Sequence, residues 1–309
     1  MRPSVTARPG ARLRHDAFVY DSDDAFAGRM AAFLEEGVDE GVSAVAVTTR
    51  ANCALLREAL GAASGRVSFI DRDEWYVRPA NVIAGYDKAL RERLRGGASE
   101  VRVVGEVSFG ATPREWAEWT LYESLINHAF ADRPAWIVCP YDARVLPQAI
   151  VDDASRTHPH GFANGPCAHY DDPVHLVRAL TPDPVPLADL PPVPLAGGAH
   201  HFREQLLREL AAARVAPARA DEFVLAASEV FSNACRHGDG PPELRVGLVD
   251  ERFVCEISDR GHGVDDPLAG YLPPKAGEPS GAGLWIARQL TSRLELFPSV
   301  DGFTARLWL

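Results

Sequence analysis

Three short stretches near the C-terminal end of the chain carry residue types that can bind and activate a metal-bound phosphate. Glu229 and Asn233 stand four apart in DEFVLAASEVFSNACRHG (221–238), so on a helix they project from one face, a turn apart. An amide oxygen is a hard Mg²⁺ ligand that adds no charge, and a neighbouring carboxylate can orient or deprotonate a hydroxyl or water. Alone, such a pair is weak evidence, because a solvated helix face explains most of them. Asp259 ends a strand-like run and is followed by Gly261 and Gly263. An aspartate there can accept a hydrogen bond from an exocyclic amine such as adenine N6. The glycines let the backbone approach a flat ligand where a Cβ would collide, although a plain tight turn also uses them. Gly281 and Gly283 precede a helix beginning near Leu284, whose free N–H groups and positive dipole end favour phosphate oxygens. The ordered set E-x-x-x-N, D-x-G-x-G and G-x-G-L is far more specific than any member of it.

The elements around these residues follow from hydrophobic periodicity. An amphipathic helix over 201–212 turns Phe202, Leu206, Leu207 and Leu210 inward. The helix 221–238 has an apolar face of Phe223, Val224, Ala227, Val230, Phe231 and Ala234. Strands are expected over 243–249 and 252–258 around a turn at Asp250-Glu251, and again over 294–299 and 303–309. The Pro/Gly-rich run 264–280 reads as a loop. Upstream, TPDPVPLADLPPVPL (181–195) holds six prolines and marks the best domain boundary in the chain.

The first part of the chain alternates strand and helix patterns. Strands are predicted at 17–21, 42–49, 66–71, 100–107 and 135–142. Helices are predicted at 23–37, 51–60, 79–95, from Pro113 onward, and at 147–156. Buried strands separated by helices imply a mostly parallel, doubly wound sheet. Ligands in such folds sit beyond the carboxyl ends of the strands. The first such loop, DSDDAFAGR, is acidic and lacks the glycines and lysine of a phosphate-cradling loop, so nucleotide hydrolysis by this part is not expected. Asp21, Ser22 and Asp23 suit helix capping, and the polar strand ends could otherwise form a sensing pocket.

Composition bounds the remaining classes. The 309 residues suggest about two domains. Net charge is −11 and both halves are acidic, which disfavours duplex nucleic acid as a partner. No apolar run is long enough to span a bilayer and the N-terminus lacks a signal-peptide pattern, so a cytoplasmic location is expected. The five cysteines are scattered without a C-x-x-C pair, which argues for reduced, mostly buried thiols and against a disulfide framework or a zinc site.

The C-terminal motif order resembles the GHKL superfamily of ATPases and kinases over residues 196–309. The resemblance implies an α/β two-layer sandwich that binds ATP and Mg²⁺ beneath a mobile lid. It implies Glu229 as general base, Asn233 as Mg²⁺ ligand, Asp259 as adenine contact, and Gly261 and Gly263 as shapers of the adenine pocket. Gly281, Gly283 and Leu284 would lie by the phosphates, and Thr304 would support the adenine aspartate. Lys275, in the lid, could reach the γ-phosphate or simply be solvated. SEVFSNACRHG matches the SE-x-x-x-NA-x-x-HG pattern of the anti-sigma-factor serine kinases. His200 and His201 lack the context of a phosphoacceptor helix. Residues 14–177 resemble the MEDS sensory domain, a P-loop-derived sheet that has lost nucleotide hydrolysis. The matching segments are HDAFVYDSDD, DRDEWY, VVGEVSFG, EW-x-x-YE-x-L-x-N-x-AF and CPYD. The implied organisation is a sensory domain (1–177), a Pro-rich linker (178–195) and a kinase domain (196–309). The implied partners are a sigma factor and an anti-anti-sigma protein of the STAS type. A small-molecule ligand for the first domain and a homodimer are further implications. A sensor histidine kinase and a non-catalytic, ATP-dependent sequestering protein are the alternatives.

Overall fold

The computed structural model describes residues 12–181, 187, 190–194, 197–274, 281–299 and 301–309. The chain divides into two compact units, Met1–Leu180 and Thr181–Leu309.

In the first unit the chain runs β1 (Arg14–Tyr20), α1 (Asp23–Asp39), β2 (Ser43–Thr48), α2 (Arg50–Leu60), β3 (Val67–Asp71), α3 (Arg72–Trp75) and α4 (Pro79–Arg95). It continues through β4 (Val101–Gly105), α5 (Pro113–Ala129), β5 (Ala135–Asp142), α6 (Gln148–Thr157), β6 (His160–Gly161), β7 (Gly165–Pro166) and α7 (Pro173–Leu180). The sheet order is β3-β2-β4-β5-β1-β6-β7, with every pairing parallel except β6 with β7. Alternate side chains of the central strands serve two cores, as a sheet buried on both faces requires. Ala44, Ala46, Val104, Trp136 and Val138 pack with Phe26, Met30, Leu34 and Leu56 of α1 and α2. Val45, Val47, Val101 and Val103 face Tyr86 and Leu90 of α4. The doubly wound, mostly parallel sheet is therefore present.

Capping fixes where the helices begin. The Ser22 hydroxyl accepts from Ala25 N, Thr49 from Asn52 N, and Thr112 makes a reciprocal capping box with Glu115. Asp23 and Asp24 occupy the first turn of α1. Two negative charges stand where a phosphate-binding helix would offer a positive dipole end, so this loop repels phosphate.

β1 begins three residues before the predicted strand. His15 and Asp16 interrupt the apolar pattern, yet both are buried in the strand, where each meets a polar partner. Trp136 Nε1 donates to Asp16 at 3.0 Å and Arg14 pairs with it at 2.9 Å.

In the second unit the elements are β8 (Pro192–Val193), α8 (Ala199–Ala212), α9 (Pro217–His237), β9 (Glu243–Val249), β10 (Arg252–Asp259), α10 (Ala282–Leu290), β11 (Arg293–Ser299) and β12 (Gly302–Trp308). The sheet is antiparallel, in the order β11-β12-β10-β9-β8. Its inward side chains (Leu244, Val246, Phe253, Cys255, Ile257, Ala305 and Leu307) pack against Phe202 and Leu206 of α8, Phe223 and Phe231 of α9, and Ala287 of α10. One helical layer on one sheet is the expected two-layer α/β sandwich of the GHKL type. Pro192 and Val193 of the Pro-rich run add an edge strand to this sheet, and Arg245 donates to Leu190 O at 2.8 Å. Asp250 and Glu251 both take positive φ, which gives the β9–β10 hairpin the twist of a two-residue turn.

Candidate functional site

α9 positions the first pair. Its core residues pin one face against the sheet, which leaves Glu229 and Asn233 half-buried along the next stripe. The neighbouring wall is the first turn of α10. A Cβ on Gly283 would lie 3.0 Å from Glu229 Oε2 and 3.4 Å from both Asn233 Nδ2 and Glu229 Cβ. The carboxylate, the carboxamide and the glycine-bearing helix start are thus one cluster. A larger residue at 283 would fill the crevice between them. Gly281 caps α10 in the left-handed region (φ 99°) with no side-chain hydrogen bond, so the first N–H groups of the helix have no side-chain acceptor at its cap.

The second cluster lies at the far end of α9. His237, one turn beyond Asn233, ends the helix and Gly238 follows it. A Cβ on Gly238 would meet Ala234 O at 2.4 Å and the Asp259 Cβ and Cγ at 2.7 and 2.9 Å. A Cβ on Gly261 would meet His237 O at 2.7 Å and Asp259 Oδ1 at 2.9 Å. The end of β10 can approach α9 this closely only because both positions lack side chains. Gly261 N–H donates to Asp259 Oδ1 at 2.7 Å, which fixes the carboxylate and leaves its second oxygen without a hydrogen bond among the described residues. Burial and the Asp259 charge together push the Cys235 thiol pKa up. Gly263 (φ 77°) lies against Phe303, whose ring would sit 2.1 Å from an added Cβ. From Glu229 to His237 the stripe runs eight residues, or about 12 Å along the helix axis, on the order of the length of a nucleoside triphosphate.

The base of the loop before α10 is also tied down. Gly270 (φ 75°) packs on the Leu284 backbone at 2.9 Å from an added Cβ. The Arg288 guanidinium stacks 3.6 Å from the Tyr271 ring and donates to Ala269 O and Leu294 O. Burial lowers the Arg288 pKa. Leu284 therefore touches the loop base, beside the cluster of Glu229, Asn233 and Gly283.

One expected residue stands apart. Thr304 faces Ser258 across the β10–β12 pair, with their hydroxyl oxygens 2.9 Å apart. Successive residues of a strand point to opposite faces, so the Thr304 side chain lies on the face away from Asp259 and does not support it. Lys275 lies outside the described residues. Gly238 and Gly302 were not singled out by their chemistry, yet both crowd the Asp259 segment. An added Cβ on Gly302 would stand 2.0 Å from Asp259 O. For Gly238 the available signal was the HG that ends the helical run.

A carboxamide side chain, a carboxylate and the start of a helix bordering one crevice are groups that suit a hydrated Mg²⁺ and the phosphates it carries. Residues 197–306 match the family model of the histidine kinase-like ATPase domain, and residues 14–159 match that of MEDS, the MEthanogen/methylotroph, DcmR Sensory domain. Residues 14–159 are thus a MEDS domain and residues 197–306 a histidine kinase-like ATPase domain. No curated protein matches the chain. The ATPase domain supports ATP binding, and both crevice clusters lie inside the matched segment. In the MEDS domain the polar strand ends satisfy one another. Glu106 accepts from Asn52 Nδ2 at 2.8 Å and pairs with Arg72 at 3.0 Å, and Arg144 bridges Asp23 and Asp142. No helix among the described residues is long and apolar enough to cross a membrane.

Proposed function

We propose that this protein is an anti-sigma regulatory factor whose ATPase domain is a protein serine/threonine kinase. It binds a sigma factor in one state and phosphorylates an anti-anti-sigma protein in the other, and the MEDS domain biases the choice. The observation that carries the kinase reading is the joint placement of Glu229, Asn233 and Gly283 around one crevice. Bound ATP with Mg²⁺ supplies the phosphoryl group. Asn233 holds the ion through its amide oxygen, and the free N–H groups of α10 hold the phosphates. Glu229 accepts the proton of the incoming serine or threonine hydroxyl, a role for which its half-buried position beside the crevice suits it. Asp259 selects adenine through its unused oxygen. Among the described residues, the stretch between the two matched segments holds the short hairpin β6–β7, the eight-residue α7 and the edge strand β8, not a pair of long helices bearing a phosphoacceptor histidine.

The test is incubation with γ-labelled ATP, Mg²⁺ and candidate antagonist proteins. Acid-stable phosphate on the antagonist, lost in Glu229→Ala, is expected. Acid-labile phosphate on the chain itself would replace this reading with a histidine kinase. Nucleotide-dependent complex formation that survives Glu229→Ala, without phosphate transfer, would replace it with a sequestering protein.

A further inference from the structure

In the MEDS domain, four side chains far apart in sequence converge in the core. They are His15 on β1, Glu123 on α5, Cys139 on β5, and His158 just after α6. All four are buried to 2 % exposure or less, and one ligand atom from each lies within 4.8 Å of the others. Glu123 Oε2 stands 3.2 Å from Nε2 of both histidines, and His15 Nε2 stands 3.3 Å from Cys139 Sγ. Two donors bound to one tetrahedral ion at about 2.0–2.3 Å stand roughly 3.3–3.7 Å apart, so these separations are close to those of a coordination shell.

The outer contacts fix which nitrogen is available. Asn127 donates its amide N–H groups to Ser124 O and Thr157 O at 3.1 and 2.7 Å, so its Oδ1 is the acceptor for His15 Nδ1 at 3.0 Å. The His158 Nδ1 faces Ala154 O at 2.9 Å, which can only accept. In the neutral form both imidazoles therefore hold their proton on Nδ1 and turn a bare Nε2 toward the carboxylate. This is the arrangement in which outer hydrogen bonds orient ligand histidines. With both imidazoles neutral and no ion bound, the centre sets lone pair against lone pair. Neither oxygen of Glu123 nor His158 Nε2 has a hydrogen-bond partner among the described residues. Such a group, wholly desolvated, is costly unless something positive stands between its members.

We propose that the MEDS domain binds one divalent transition-metal ion of the zinc class through His15 Nε2, His158 Nε2, Glu123 and Cys139 Sγ. Two imidazoles and a thiolate select such an ion over Mg²⁺ or Ca²⁺. Binding forms the metal–sulfur bond and releases the thiol proton to solvent. One carboxylate and one thiolate then cancel the double positive charge, so the buried site is neutral overall. All four positions are protein ligands, which makes the site closed rather than open to substrate. It ties β1, β5, α5 and the end of α6 together through one point. The absence of a C-x-x-C pair gave no sign of it, because parallel-sheet topology rather than sequence spacing assembles the ligands.

The test uses the full-length chain, stripped with a chelator and dialysed against Zn²⁺ or Co²⁺. About one zinc per chain retained after desalting is expected. With Co²⁺, a thiolate charge-transfer band and the strong visible bands of a tetrahedral ion are expected. Cys139→Ser should remove the charge-transfer band, and His158→Ala should lower zinc retention several-fold. A folded wild-type chain that retains no zinc and shows no cobalt–thiolate band overturns the proposal. So does retention that is unchanged in both variants, which would place the ion elsewhere. The wild-type cobalt spectrum needs no variant to fold. The readout is also independent of nucleotide binding, so it stands or falls apart from the kinase reading.

Discussion

Asp259→Asn isolates the residue assigned to the base. One oxygen of Asp259 takes the Gly261 N–H at 2.7 Å, and the other has no hydrogen bond among the described residues. In the variant the amide oxygen keeps the Gly261 bond, so the loop should hold its shape. The amide NH₂ then occupies the place of the free oxygen and presents a donor to the adenine amine, turning an attraction into a donor–donor clash. Losing a hydrogen bond to a charged group costs about 1.5–3 kcal/mol. That corresponds to roughly 10–150-fold weaker ATP binding. GTP carries a carbonyl where adenine carries its amine, so its binding should hold or improve, and the preference for ATP should fall by at least the same factor. Competition titrations of a fluorescent nucleotide with ATP and GTP measure both quantities. ATP affinity within about threefold of wild type, with an unchanged ATP-to-GTP ratio, would refute the assignment.

Gly263→Ala combines a positive φ with a Cβ directed at the Phe303 ring, so it should cost about 1–2 kcal/mol for the left-handed backbone and more for the clash, read as a lowered urea midpoint. Arg102, fully buried, donates to Phe33 O at 2.9 Å and to Glu40 at 2.7 Å; Arg102→Met should destabilise the MEDS domain by about 1.5–3 kcal/mol in denaturant titrations. Hydrogen bonds from Arg144 hold the Asp142 carboxyl below the usual range. Its stabilisation is therefore complete above the unfolded value near about pH 4 and is lost as pH falls through the lower folded value. Wild type should lose stability over that window, and Asp142→Asn should show a flatter acid limb in urea midpoints measured across it.

Much of this was legible because single physical signals sufficed. Strands such as VSAVAVTT and AWIVCPYD announce themselves by unbroken β-branched and apolar runs, and Glu229 with Asn233 by one helical turn of spacing. The turn at Asp250-Glu251 followed from the polar break between two apolar runs. What stayed hidden depends on tertiary partners. His15 and Asp16 fall outside the strand expected over 17–21, and only their tertiary partners Asn127 and Trp136 account for their burial in β1. Pro192 and Val193 read as linker because proline breaks ladders, yet at a sheet edge the missing donor costs little. Thr304 was placed by motif position, whereas its face is set by register with Ser258. The buried quartet around Glu123 has no local spacing at all.

The most direct check of the nucleotide site is a calorimetric titration of the full chain with ATP, with and without Mg²⁺, beside Asn233→Ala. Saturable binding of about one nucleotide per chain is expected in wild type, strengthened by Mg²⁺, with that Mg²⁺ dependence lost in the variant. A folded wild-type chain that does not bind ATP, or a variant with the full Mg²⁺ dependence, would contradict the account.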